Sequence, residues 1–218
     1  MKNRRLLLYF LTAAALAAAV FFFLWSQGVF LPSWIEWKKR TYSIQGGEYE
    51  LTLQKRKAVL ASSAKLVSSA KREGQEALWA SDPKILVQDL LLGDIDRDGE
   101  EEVLILCWRR GRYGPAKPDW VKEERTWSQH IYIYDLSPKK GGLRAIWMAS
   151  DIGKEVFSWS LPSEGRLLLS HPDGTRDLWQ WRDFGLEYIG DLPARSLQGA
   201  DSYAIIKAIE SLSRGTYC

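Results

Sequence analysis

Two apolar runs frame one acidic loop, and this arrangement constrains the fold more than any other stretch. Ile85 to Leu92 and Val103 to Trp108 are rich in Leu, Ile and Val, and between them lies Gly93-Asp94-Ile95-Asp96-Arg97-Asp98-Gly99-Glu100-Glu101-Glu102. Short apolar runs bounded by turn residues read as buried strands. The pair therefore predicts a β-hairpin with an acidic tip.

The tip has the chemistry of a cation loop. Asp94, Asp96 and Asp98 fall on alternate positions, so a tight turn aims their side chains at one centre. Gly99 permits the backbone turn that a Cβ resists. The backbone carbonyl of Glu100 can point inward, and Glu102 can close the site. Calcium takes ~6–8 oxygen ligands in a forgiving geometry. An EF-hand needs a bidentate glutamate at its twelfth position. That position is Ile105 here, and the flanks read as strands rather than helices. Asp and Gly are also common in turns for their own reasons, so an acidic hairpin without metal remains an alternative.

A nine-residue D-x-D-x-D-G-x-x-[DE] loop between two strands resembles the calcium loop of FG-GAP/VCBS repeats, the blades of integrin-α-like β-propellers. The likeness covers about twenty residues, Leu90 to Cys107. Such repeats usually carry aspartate at the ninth position, where this chain has Glu102. The resemblance implies Ca2+ held by Asp94, Asp96, Asp98, Glu100 and Glu102, within blades of four antiparallel strands.

A weak internal repeat agrees. Ala77-Leu78-Trp79-Ala80-Ser81-Asp82 and Ala145-Ile146-Trp147-Met148-Ala149-Ser150-Asp151 share A-[LI]-W followed by A-S-D. Self-similarity at a fixed period points to a repeat architecture. The pattern predicts strands at 84–92, 102–109, 129–136 and 143–149, which would make one propeller blade. A further unit spans 154–190, with strands at Leu167–Leu169, Asp177–Trp181 and Phe184–Ile189 and a plain hairpin at Pro172–Thr175. There Ser163-Glu164-Gly165 stands in place of the acidic loop. Tyr49–Leu53 reads as a strand. The Ala/Ser-rich stretch 58–77 suits helix or weak strands, and its A-L-W-A-S end favours strands. Asp201 to Arg214 reads as a helix with Ile205, Ile206, Ile209 and Leu212 on one face. That makes about two and a half units, fewer than the ~4–8 blades that close a ring. The fold class is therefore all-β, with propeller-like antiparallel blades in incomplete number. An N-terminal transmembrane helix and a C-terminal amphipathic helix flank it.

The N-terminus sets the location. Lys2, Arg4 and Arg5 precede a run from Leu6 to Ile35 with no charged residue. Leu6 to Trp25 meets the ~20 apolar residues a spanning helix needs. A cleaved signal has a shorter apolar core and an A-x-A-like site, which Ser26-Gln27-Gly28 does not supply. The reading is an uncleaved signal anchor in the cell membrane. Residues 1–5 would be inside, 6–25 in the membrane, 26–41 a linker, 42–191 an extracytoplasmic β-repeat domain, and 192–218 a linker and helix. Lys38-Lys39-Arg40 balances the N-terminal cluster, so orientation rests on the shortness of the tail.

Residues 1–40 hold six of the 30 basic residues and one of the 27 acidic ones, so the rest of the chain is slightly acidic. That discounts nucleic acid, which calls for a basic domain or stripe. Eleven tryptophans suit gap-filling in a small β-domain, with an exposed subset able to bind sugars. Cys107 falls in an expected core strand and Cys218 is the last residue, which is not the easy arrangement for a disulfide.

Neither His130 nor His171 lies in a sequence context that pairs it with a nucleophile, and there is no G-x-S-x-G, P-loop, H-E-x-x-H or C-x-x-C motif, so no catalytic residue is named. The loop 109–127 is the second candidate element. Arg109, Arg110, Arg112, Tyr113 and Trp120 combine cationic and aromatic residues of the kind enriched at interfaces. A solvated insertion is the alternative. The expected function is protein interaction or scaffolding at the cell surface, with oligomerisation open. Glycan binding through exposed Trp and Tyr is the second reading, and a hydrolase with structural calcium the third.

Overall fold

The computed structural model describes residues 2–63, 77–113, 117, 119–137, 142–149, 151–163 and 165–192. The expected helix at 201–214, Cys218 and most of the Lys139–Gly142 hairpin lie outside these residues. The chain divides into two units, Met1–Ile35 and Glu36–Cys218.

The first unit is helix α1, Lys2–Ser26. Its 25 residues are roughly 38 Å long at ~1.5 Å per residue, enough to cross a bilayer core. The segment Tyr9–Ser26 is long and apolar enough to be a membrane span, and none of it is buried by protein. The helix ends at Gly28, whose φ of 68° is left-handed, and Val29 N–H reaches back to Leu24 C=O at 3.2 Å.

Among the described residues, the second unit is built from twelve strands in three antiparallel sheets, each a run of consecutive hairpins. The first sheet holds β1 (Arg40–Ile44), β2 (Tyr49–Gln54), β3 (Lys57–Ser62) and β4 (Trp79–Ala80). The second holds β5 (Ile85–Gly93), β6 (Glu102–Arg110), β7 (Trp127–Ser137) and β8 (Gly142–Met148). The third holds β9 (Ser158–Ser163), β10 (Arg166–Ser170), β11 (Arg176–Arg182) and β12 (Gly185–Leu192). Three complete four-stranded sheets replace the expected two and a half. The difference lies in the first sheet, whose β1 continues straight from the basic Lys38-Lys39-Arg40 cluster, and in β9 of the third.

The second sheet is covered on both faces. Val103, Ile105, Cys107, Tyr132 and Tyr134 pack with Leu51, Leu53 and Leu60 of the first sheet. Their alternates Leu104, Leu106, Ile131 and Ile133 pack with Leu167 and Leu169 of the third. Successive strand residues point to opposite faces, so a strand buried on both sides is apolar throughout. That is why β6 shows no polar alternation between Val103 and Trp108.

The A-[LI]-W repeat falls on the last strand of the first two sheets. Trp79 of β4 meets Tyr134 edge-on, with ring centroids 5.2 Å apart. It also leaves no room beside Gly142, where an added Cβ would lie 2.9 Å from the Trp79 Cβ. Trp147 of β8 covers Gly185 in the same way. Gly142 opens β8 and Gly185 opens β12. Each tryptophan thus packs on the glycine that opens the last strand of the next sheet.

Asp89 ties the three sheets together. It sits at the β5 bulge and is 5 % exposed. Arg40 of β1 donates to both its oxygens, at 2.9 and 3.1 Å, and Trp159 Nε1 of β9 donates at 3.1 Å. The hydrogen bond to Asp89 also raises the Arg40 pKa.

Candidate metal centre

The loop 94–101 joins β5 to β6, where Gly93 faces Glu102 in the register. Its polar residues form the turn, and Ile95 anchors it. Ile95 is fully buried in the core between the second and third sheets. With Ile95 directed inward, its neighbours Asp94 and Asp96 are half-buried at the mouth of the loop.

The carboxylates of Asp94, Asp96 and Glu102 each offer an oxygen within 4.8 Å of the others. The structure brings these three of the five expected ligands together. The Asp98 carboxylate lies outside that group, and its Oδ1 accepts the Glu100 N–H at 2.8 Å; the ligand expected of Glu100 is its backbone carbonyl. Much of the loop is held by its own acids. Asp94 Oδ1 accepts the Arg97 N–H at 2.6 Å and Oδ2 the Gly99 N–H at 3.1 Å. Arg97 and Gly99 both have left-handed φ, 67° and 92°, so two backbone N–H groups turn inward at one carboxylate.

Glu102 is the least usual member. It is 2 % exposed, and its Oε2 accepts the Ile95 N–H at 2.8 Å. Burial pushes its carboxyl up to about 7, against that hydrogen bond, and the charges of Asp96 and Asp98 add to the rise. The Asp96 carboxyl is also raised, first by burial and then by Asp98 and Asp94. A buried carboxylate among like charges is stabilised either by a proton or by a cation. The donor set fits a hard cation, since all three groups are oxygen ligands of the type calcium takes.

The loop also contacts the third sheet. Asp94 C=O accepts the Gly165 N–H at 3.1 Å, and the Arg97 guanidinium lies over Gly165. Gly165 is the glycine of the Ser163-Glu164-Gly165 turn. Gly165, in the segment that replaces the acidic loop, is therefore a seat for the acidic loop of the preceding sheet.

Loop 109–127 distributes its candidate residues. Arg112 pairs with Asp151 at 3.1 Å and Glu124 at 4.0 Å. The Tyr113 N–H donates to Glu123 Oε1 at 3.1 Å. Trp120 is 88 % exposed. Arg109 donates to Tyr132 Oη at 3.2 Å. The histidines are tied to backbone. His130 Nδ1 lies 3.1 Å from Ala149 C=O, while Nε2 is 3.0 Å from Gly111 C=O and 2.9 Å from Ser128 Oγ, which donates to Gly111. Burial lowers the His130 pKa. His171 Nδ1 lies 2.8 Å from Glu155 C=O, and its Nε2 is 2.9 Å from Asp177. Asp173 closes the 172–175 turn by accepting Thr175 N–H and Oγ1–H, the plain hairpin the sequence suggests.

Sequence reading missed Ile95, Arg97 and Gly165. Ile95 was the one with a signal, as an apolar residue between two aspartates in an otherwise polar turn. No family model matches the chain, and no curated protein matches it.

Proposed function

We propose that this chain is a membrane-anchored interaction module whose β-domain carries a calcium-stapled loop and faces the extracytoplasmic side. The three sheets would be propeller-like blades of the FG-GAP/VCBS kind. Asp94, Asp96 and Glu102 would hold the ion, and its charge would neutralise carboxylates that otherwise repel. The observation that carries the reading is the buried Glu102 beside Asp94 and Asp96, on a loop that also contacts Gly165 of the third sheet. A cation there would stiffen one sheet and its contact with the next, a structural rather than catalytic role. Exposed Trp120 favours a second reading, glycan binding through an aromatic platform.

Calorimetry on the full-length chain in detergent tests the first reading. One calcium per chain, a higher Tm with calcium than with chelator, and loss of both in Asp96→Ala are expected. Absence of heat and of any Tm shift would reduce the loop to an acidic turn. Protease treatment of intact cells should remove the β-domain, and its survival would overturn the orientation. Binding to purified wall polysaccharide that disappears in Trp120→Ala would move the assignment to the second reading.

A further inference from the structure

Among the described residues β4 pairs with β3 at Trp79 and Ala80, and the chain then turns through Asp82 and Lys84 into β5. Beside that turn is a cavity of about 250 Å³. Its apolar lining comes from Ile85 and Met148 and from the rings of Tyr132 and Tyr134. Its charged lining is Lys84, Arg109 and Arg110 against one acid, Asp82.

Among the described residues no carboxylate lies within ion-pair distance of Lys84 or Arg109. The Lys84 ammonium projects from an exposed turn. The Arg109 side chain is half-buried and donates one N–H to Tyr132 Oη at 3.2 Å. Tyr132 accepts from Arg109, so its own O–H remains to be donated. Burial pushes that phenol up to about 12, and it stays a donor across the physiological range. An arginine fixed by a tyrosine keeps the rest of its planar fork for an oxyanion.

We infer that this cavity binds a small oxyanion, a carboxylate or a phosphate, carried on an apolar or aromatic body. Arg109 and the Tyr132 hydroxyl would grip the anionic head, and Lys84 and Arg110 would contribute charge at the mouth. The tyrosine rings, Ile85 and Met148 would enclose the body. The two-arginine run that sequence singled out as partner-binding would then act from within a pocket. The site goes beyond the calcium-stapled module and does not depend on the ion.

Benzoate, phenyl phosphate and inorganic phosphate, titrated into the full-length chain in detergent, test it. Saturable binding of benzoate or phenyl phosphate, tighter than that of inorganic phosphate, is expected. Whichever of the two binds tighter identifies the head group. Arg109→Gln should weaken binding about tenfold, the loss of one charge-assisted hydrogen bond. Lys84→Gln, on the exposed turn, should weaken it severalfold and make it less sensitive to salt. Asp96→Ala should leave it unchanged, which separates a failure here from a failure of the calcium reading. Absence of saturable binding, or equal binding by folded Arg109→Gln and Lys84→Gln chains, overturns the inference.

Discussion

On the proposed calcium reading, Glu102 should act on stability in opposite directions with and without the ion. Its folded pKa of about 7 lies above the ordinary 4.5. Without calcium, its contribution to stability is therefore full below pH ~4.5 and lost as pH rises through about 7. The loss is at most about 3 kcal/mol, at ~1.36 kcal/mol per unit. In chelator, thermal melts should show Glu102→Gln flattening this part of the pH profile and matching or exceeding the parent at pH 7.5. In calcium the order should reverse, because the glutamine brings no charge to the ion. A Glu102→Gln chain that gains as much from calcium as the parent would remove Glu102 from the site. Cys107 lends itself to a simpler prediction. Its thiol is fully buried, and burial drives its pKa far upward, so the thiolate that reacts is scarce. Peptide mapping should find Cys107 unlabelled by maleimide in the native chain and labelled after unfolding.

The packing of tryptophan on glycine links one sheet to the next. Gly185 does not have left-handed φ, so alanine there adds no backbone strain, only a methyl group directed into the Trp147 ring. Gly185→Ala should cost about 1–3 kcal/mol through overpacking, read as a lower denaturant midpoint, and Trp147→Phe in the same chain should recover part of it. The same elements explain what sequence could and could not reveal. The strands of the second sheet were legible almost to the residue, because a sheet buried on both faces writes long apolar runs such as Val103–Trp108. β1 was missed because Arg40-Thr41-Tyr42-Ser43-Ile44 is polar in composition and its arginine serves Asp89, a partner 49 positions away. β9 holds Pro162, which argues against a central strand; it lies at the sheet edge, where a missing N–H is tolerated. In the acidic loop, residue types and turn were legible, but the division of labour was not. Which carboxylates converge depends on the burial of Glu102 and of Ile95, the latter packed with residues of the third sheet.

For the β-domain as a whole, Asp89 concentrates the coupling between sheets. One buried carboxylate holds Arg40 from the first sheet and Trp159 from the third. Asp89→Asn keeps the volume and removes the charge. It should cost about 1–3 kcal/mol, since Arg40 is partly solvated and recovers some interaction with water. The melt of the variant, followed by tryptophan fluorescence and by far-ultraviolet circular dichroism, should remain a single coincident transition. Two separated transitions would mean that the sheets unfold independently. The order of the sheets also has a consequence for how the chain acquires its core. Each sheet consists of neighbouring hairpins, so each can form from the stretch just synthesised, with little loop-closure entropy. The first sheet should then wait, with Leu51, Leu53 and Leu60 wet, until β5 to β8 leave the ribosome. The last event of folding among the described residues should therefore be the drying of Leu104, Leu106, Ile131 and Ile133 against the third sheet, after the strands that carry them have formed.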